Sequence, residues 1–128
     1  MPIKNEINNE QRCIYTMCSG LISAQDIEEY LARIWTDISL YGYNEFFDAT
    51  QADWQKVDFN YLFEVAQQAS KLTAIDNNSK LAWFISGNSE KEKADFYVSA
   101  KSLITTESRS IKAFYDRDEA LEWLGIKV

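Results

Sequence analysis

The sequence predicts an α/β fold with a mainly parallel sheet, and three observations carry that expectation. Apolar and β-branched runs alternate with stretches of helical periodicity, in the order two strands, then helix, strand, helix, strand, helix, strand, helix. Such alternation implies right-handed crossovers between parallel strands. The run Leu81-Ala82-Trp83-Phe84-Ile85 is continuously apolar, as suits a strand covered on both faces, and is read as the centre of the sheet. The only proline is Pro2, and linkers, repeats and low-complexity tracts are absent, so residues 1–128 are expected to form a single domain.

Each element has a local reason. Ile3 to Ile7 reads as a short strand, followed by the turn-prone Asn8-Asn9 and a second strand from Arg12 to Cys18 that Ser19-Gly20 ends. An antiparallel hairpin is the natural pairing. Ser23 and Asp26 form a capping-box pattern, after which Ile27, Tyr30, Leu31, Ile34, Trp35 and Ile38 fall in one helical stripe. Tyr43 to Asp48 is the third strand, and a polar loop then leads to Asp58, an N-cap. The helix it opens carries Phe59, Leu62, Phe63, Ala66, Ala69 and Leu72 as apolar positions. Asp76-Asn77-Asn78-Ser79 marks a turn before the Leu81–Ile85 strand. Ser86-Gly87-Asn88-Ser89 then caps a helix with Ala94, Tyr97, Val98, Lys101 and Ile104 on one side. Ile111 to Tyr115 is the last strand, and Asp116 with Glu119 is a capping box for a terminal helix bearing Ala120, Trp123 and Leu124, closed by Gly125.

Composition narrows the function classes. With 128 residues, 46% hydrophobic and 26% charged, the chain is globular and long enough for one core. A net charge of −7 and the lack of a Lys/Arg cluster argue against nucleic acid. The N-terminus lacks the apolar run of a secretory signal and no stretch is long enough to span a membrane, so a cytoplasmic location is expected. Cys13 and Cys18, five apart in one strand, should point to opposite faces as reduced, buried thiols. There is no histidine, which removes the commonest general base and transition-metal ligand together. No cofactor and no catalytic residue is expected.

The C-terminal Ile111-Lys112-Ala113-Phe114-Tyr115-Asp116-Arg117-Asp118-Glu119-Ala120-Leu121-Glu122-Trp123-Leu124 is similar to the strand, acidic cap and helix that close proteins of the STAS-like, or SpoIIAA-like, superfamily. Ser19-Gly20 before the first helix and Phe46-Phe47-Asp48, a strand ending in aspartate, fit the same pattern. The resemblance covers nearly the whole chain and is strongest to the superfamily's small stand-alone bacterial proteins of uncharacterised function. It implies a sheet of about five strands with an N-terminal antiparallel hairpin and about four helices, and a non-enzymatic interaction or regulatory role. Signalling members, the anti-sigma-factor antagonists, carry a phosphorylatable serine after an aspartate at the start of the second helix. Here Asp58 is followed by Phe59-Asn60-Tyr61, which departs from that pattern and argues against a serine phosphoswitch. Thr50 is the neighbouring hydroxyl that modification would have to use, and a loop threonine bonded to backbone is the competing account.

Candidate ligand or partner residues are those that a parallel sheet collects beyond its carboxyl strand ends. They are Asp48, Thr50, Trp54, Asp58, Ser86, Asn88 and Ser89. Ser86 to Ser89 would offer backbone N–H groups to an anion, or serve only as a helix cap. Asp48, Asp53 and Asp58 could supply carboxylates for a metal or acid/base role, although strand ends and caps favour Asp for local bonding. Trp54 stands in a polar stretch without periodic partners, so it covers the sheet edge, closes a pocket or contacts a second subunit. Crossovers that place the main helices on one face leave the other to be shielded by the terminal helix, a partner chain or an apolar ligand. Two functions follow from this: binding of a protein partner or a second copy as a homodimer, and carriage or sensing of a small apolar or lipid-like ligand.

Overall fold

The computed structural model describes residues 2–69, 71, 79–104 and 109–127. Among them, five strands stand side by side in chain order: β1 (Ile3–Asn8), β2 (Cys13–Leu21), β3 (Asn44–Asp53), β4 (Lys80–Phe84) and β5 (Ser110–Phe114). β1 and β2 are antiparallel and every later neighbour is parallel. Four α-helices accompany them: α1 (Ala24–Tyr30), α2 (Phe59–Ala69), α3 (Asn88–Ile104) and α4 (Arg117–Trp123). The α/β class, the N-terminal hairpin and the numbers of strands and helices are those the sequence predicts. Leu72 and the Asp76–Asn78 part of the predicted turn lie outside the described residues.

The central strand is β3, with two strands on either side, rather than the apolar β4. β4 reads as continuously apolar because both faces of the sheet are covered at its position. Leu81 and Trp83 belong to the cluster under α1, α2 and α3, whereas Ala82 and Phe84 belong to a second cluster with Ala120, Leu121 and Leu124 of the α4 segment. Alternation along each strand thus divides the core in two. Cys18 lies in the first cluster and Cys13 in the second, both unpaired and buried, as their spacing predicts.

α4 is what shields the second face. Asp116 accepts the Asp118 N–H at 2.9 Å, and among the described residues its own N–H makes no reciprocal bond to Glu119 to complete a box. At the other end Gly125 takes φ +82°, where a side chain is strained. Its N–H donates to the Glu122 carbonyl, and the Ile126 N–H reaches the Leu121 carbonyl at 2.9 Å. This doubled C-terminal bond turns Ile126 back onto the second cluster. Asn44 fixes the segment to the sheet by donating to the Leu124 carbonyl at 3.3 Å.

Other boundaries differ from the sequence reading. β2 passes through Ser19-Gly20 to Leu21, with its register to β3 shifting between Met17 and Ser19. Such a bulge absorbs an extra residue and lets pairing resume. The Ser23–Asp26 capping box forms as predicted, but α1 gives way to a π-helical turn at Leu31–Trp35. The stripe holds from Ile27 to Trp35, and the change of pitch with the extended backbone of Asp37 then throws Ile38 outward, leaving it 82% exposed. In α2, Val65 takes a buried place beside Leu62, Ala66 and Ala69, while Phe59 and Phe63 lie half out in solvent.

Candidate functional site

The parallel strands bring their carboxyl ends to one edge, so the predicted site residues can be placed directly. β3 runs on to Asp53, which puts Thr50 in a strand rather than a loop. Strand alternation sets Asp48 and Thr50 on one face, and the Asp48 carboxylate accepts from the Thr50 hydroxyl at 2.6 Å and its N–H at 3.0 Å. Ser86 joins them, donating from Oγ to the Thr50 carbonyl at 3.3 Å and from N–H to Glu90 at 3.1 Å. Asp48, Thr50 and Ser86 therefore come together, with their polar atoms tying β3 to the start of α3. Asn88 accepts from the Tyr115 hydroxyl at 3.2 Å. Asp58 stands apart and caps α2 by accepting the Tyr61 N–H at 2.8 Å. Ser89 lines a surface groove of about 360 Å³ with Trp54, Asp53, Glu90 and Lys93. Lys93 Nζ donates to the Trp54 carbonyl at 2.5 Å, and the Asp53 and Glu90 carboxylates outnumber its charge in the groove. Asp48, Asp53 and Asp58 do not converge, and among the described residues no group of three His, Cys, Asp or Glu side chains is placed to hold a metal ion.

Trp54 folds back. Only 8% exposed, it lies 6.3 Å, centroid to centroid, from both Phe47 on β3 and Trp83 on β4. There it helps wall an apolar cavity of about 60 Å³ between the sheet and the helices. Phe47 and Trp83 supply the sheet side, Leu62 and Val65 the α2 side, and Tyr97 the α3 side. A cavity of roughly 150 Å³ accepts a benzene-sized molecule. The smaller volume here suits only a few heavy atoms, and its almost wholly apolar wall disfavours water. Trp83 Nε1 is buried with no hydrogen-bond acceptor among the described residues. The Phe47, Trp54 and Tyr97 rings stand at steep angles to the Trp83 ring, with centroids 5.6 to 6.3 Å away.

Beside the cavity lies a polar cluster that the sequence reading did not single out. Glu45 on β3 and Arg109 just before β5 form an ion pair at 3.0 Å, with side-chain exposures of 0% and 1%. Thr16 Oγ1 donates to the second carboxylate oxygen of Glu45 at 2.6 Å, and the Tyr30 hydroxyl donates to it as well. Arg109 further donates to the Ser79 hydroxyl at 3.0 Å and the Tyr43 carbonyl at 2.9 Å. Tyr30 in turn accepts the Trp35 Nε1–H at 3.0 Å. Burial first, and the Glu45 carboxylate second, push the Tyr30 hydroxyl well above its ordinary pKa. Lys101, 4% exposed, places Nζ 5.3 Å from the centre of the Trp35 ring, and the Arg109 guanidinium stacks 5.2 Å from the same centre. Burial, reinforced by the Arg109 charge, pushes the Lys101 ammonium down to about 8. A lone carboxylate among the aromatic residues Tyr43, Phe46 and Phe47 is the available signal, because an acidic residue pointing into a core needs a cation. Its partner, 64 residues away, left no trace in spacing.

No protein-family model and no curated protein matches the sequence. Among solved structures, the chain is similar to an uncharacterised protein of the DUF3478 family with a SpoIIAA-like fold from Shewanella loihica PV-4. The two share 17% identity over 95% of this chain and 91% of that one, with a TM-score of 0.58. The five-stranded sheet, its single antiparallel hairpin and the terminal helix across its second face therefore make up a SpoIIAA-like fold.

Proposed function

We propose that this chain is a non-catalytic binding domain that seats a small apolar ligand, such as the end of an alkyl chain, between its sheet and the α2–α3 pair. The observation that carries this reading is the apolar cavity, walled by both layers and smaller than one that holds benzene. Trp54, open in the sequence to an edge, pocket or subunit role, supports it by closing that cavity from within its own chain. Trp35, Trp54 and Trp83 all line the space, so their fluorescence reports occupancy. Decanoate is the probe: native mass spectrometry should find the protein carrying it, and tryptophan emission should change with saturation. Val65→Phe fills the space from α2 and should abolish both signals while preserving the fold. An unmodified mass and unchanged emission throughout the titration would sink the proposal.

A second reading, association with a protein partner or a second copy, is favoured by the outer side of α2. Phe59 is 44% and Phe63 40% exposed, and Phe59 leans on Phe96 of α3 at 5.0 Å between ring centroids. A dimer by light scattering that Phe63→Glu dissolves would support it, and a concentration-independent monomer would remove the homodimer. The net charge of −7 keeps nucleic acid out of either reading. Among the described residues no helix is long and apolar enough to cross a membrane. A cytoplasmic binding role is part of the proposal.

A further inference from the structure

β5 is an edge strand whose outer hydrogen-bonding side is open. The Ser110 N–H donates to the Ser79 carbonyl at 3.1 Å and the Phe114 carbonyl accepts from Ile85 at 2.9 Å, so Ser110 and Phe114 face β4. N–H and C=O groups alternate sides along a strand, which turns those of Ile111 and Ala113 away from the sheet. Beyond them no further strand lies among the described residues. Alongside runs a surface groove of about 320 Å³ between β5 and α3, floored by Val98, Ile111 and Ala113 and rimmed by Lys91 and Asp95.

We propose that this edge docks an extended segment of another protein, one in which apolar and acidic residues alternate, added to the sheet as a strand beside β5. The inference goes beyond the apolar-ligand reading and does not depend on it. A strand added at an edge bonds through its backbone and gains specificity from alternate side chains. Those turned toward α3 would meet the apolar floor. Those turned the other way would meet Lys112, which projects from the opposite face with Nζ 5.2 Å from the Phe114 ring centre. On the α3 rim, Lys91 and Asp95 neutralise one another at 2.7 Å, so Lys112 sets the sign of the site. Two β5 strands paired about a two-fold axis at Lys112 would set that residue against itself, and like charges directly opposite destabilise a sheet.

The test titrates isotope-labelled full-length protein at ~0.15 M salt, where charges beyond ~8 Å are screened. One capped peptide of about six residues alternates valine and glutamate, matching an ordinary strand, and another alternates valine and lysine. The acidic peptide should shift the Ile111 and Ala113 amide signals and slow their exchange with solvent. Lys112→Glu should weaken it about fivefold. Ala113→Pro removes an outward N–H without touching the β4 ladder and should abolish binding, with circular dichroism verifying the fold. Should Ala113→Pro fail to fold, Lys112→Glu decides. Three results overturn the proposal: unmoved β5 signals at millimolar acidic peptide, equal binding of the lysine peptide, or β5 shifts that follow protein concentration alone. The lysine control is stringent, because a chain of net charge −7 attracts it non-specifically.

Discussion

At the scale of single residues, the buried Glu45–Arg109 pair is the most consequential feature of the interior. Each carboxylate oxygen of Glu45 is engaged, by Arg109 on one side and by Thr16 and Tyr30 on the other. Desolvating both charges is costly, and removing one leaves its partner buried without compensation. Glu45→Gln is therefore predicted to lower unfolding free energy by about 3–5 kcal/mol in urea titrations, a large part of a typical domain's stability. Lys101 gives a prediction in pH. Its ammonium loses a proton near pH 8 in the fold against 10.5 ordinarily, so across that window the unfolded chain binds more protons and stability rises with pH. Cys13 acts with the opposite sign. Burial lifts its thiol from 9.0 to about 12, so above pH 9 the unfolded chain deprotonates first and stability falls. Burial raises the Cys18 thiol in the same way, so with two thiols opposing one ammonium the thermal midpoint, measured under reducing conditions, should climb from pH 8, crest around pH 9 and decline. Lys101→Met should flatten the rising limb. Neither effect was legible from residue type, because both come from burial among groups distant in sequence.

At the scale of elements, the sequence placed the five strands and four α-helices of the described residues but misjudged several extents. The caps were legible because they are local: Ser23–Asp26 closes its box and Asp58 takes a backbone N–H of α2. Asp58→Ala should cost about 1 kcal/mol, measurable as a shift in denaturation midpoint, whereas Asn at that position should cost little. β3 was cut short at Asp48 because polar residues follow, yet its ladder with β2 extends to Asp53. Backbone pairing is indifferent to side-chain polarity when one face reaches solvent. Exposed Phe59 and Phe63 show the converse, since a helical stripe read without its neighbours does not reveal how far those neighbours reach. Trp54 was ambiguous for the same reason. Its burial depends on β4 and on the chain folding back, and no local pattern encodes either.

For the molecule as a whole, the two-sided sheet decides stability. With α1, α2 and α3 gathered on one core cluster, α4 is, among the described residues, the helix that covers the other. Leu124→Asp, which puts a charge against Cys13, Phe46 and Ala82, should destabilise the domain by several kcal/mol. Increased binding of a hydrophobic dye and loss of cooperative melting would register the exposed face; an unaltered melt would mean that α4 is dispensable. The chain's own periodicities and caps determined the α/β class, the hairpin, the order of elements and the opposed faces of Cys13 and Cys18, because each depends on residues a few positions apart. Tertiary structure alone decided which strand is central, where Trp54 goes, that Glu45 meets Arg109, and that an apolar cavity opens beside them. Those outcomes depend on contacts between distant segments, and one-dimensional spacing holds no record of which distant residues the fold brings together.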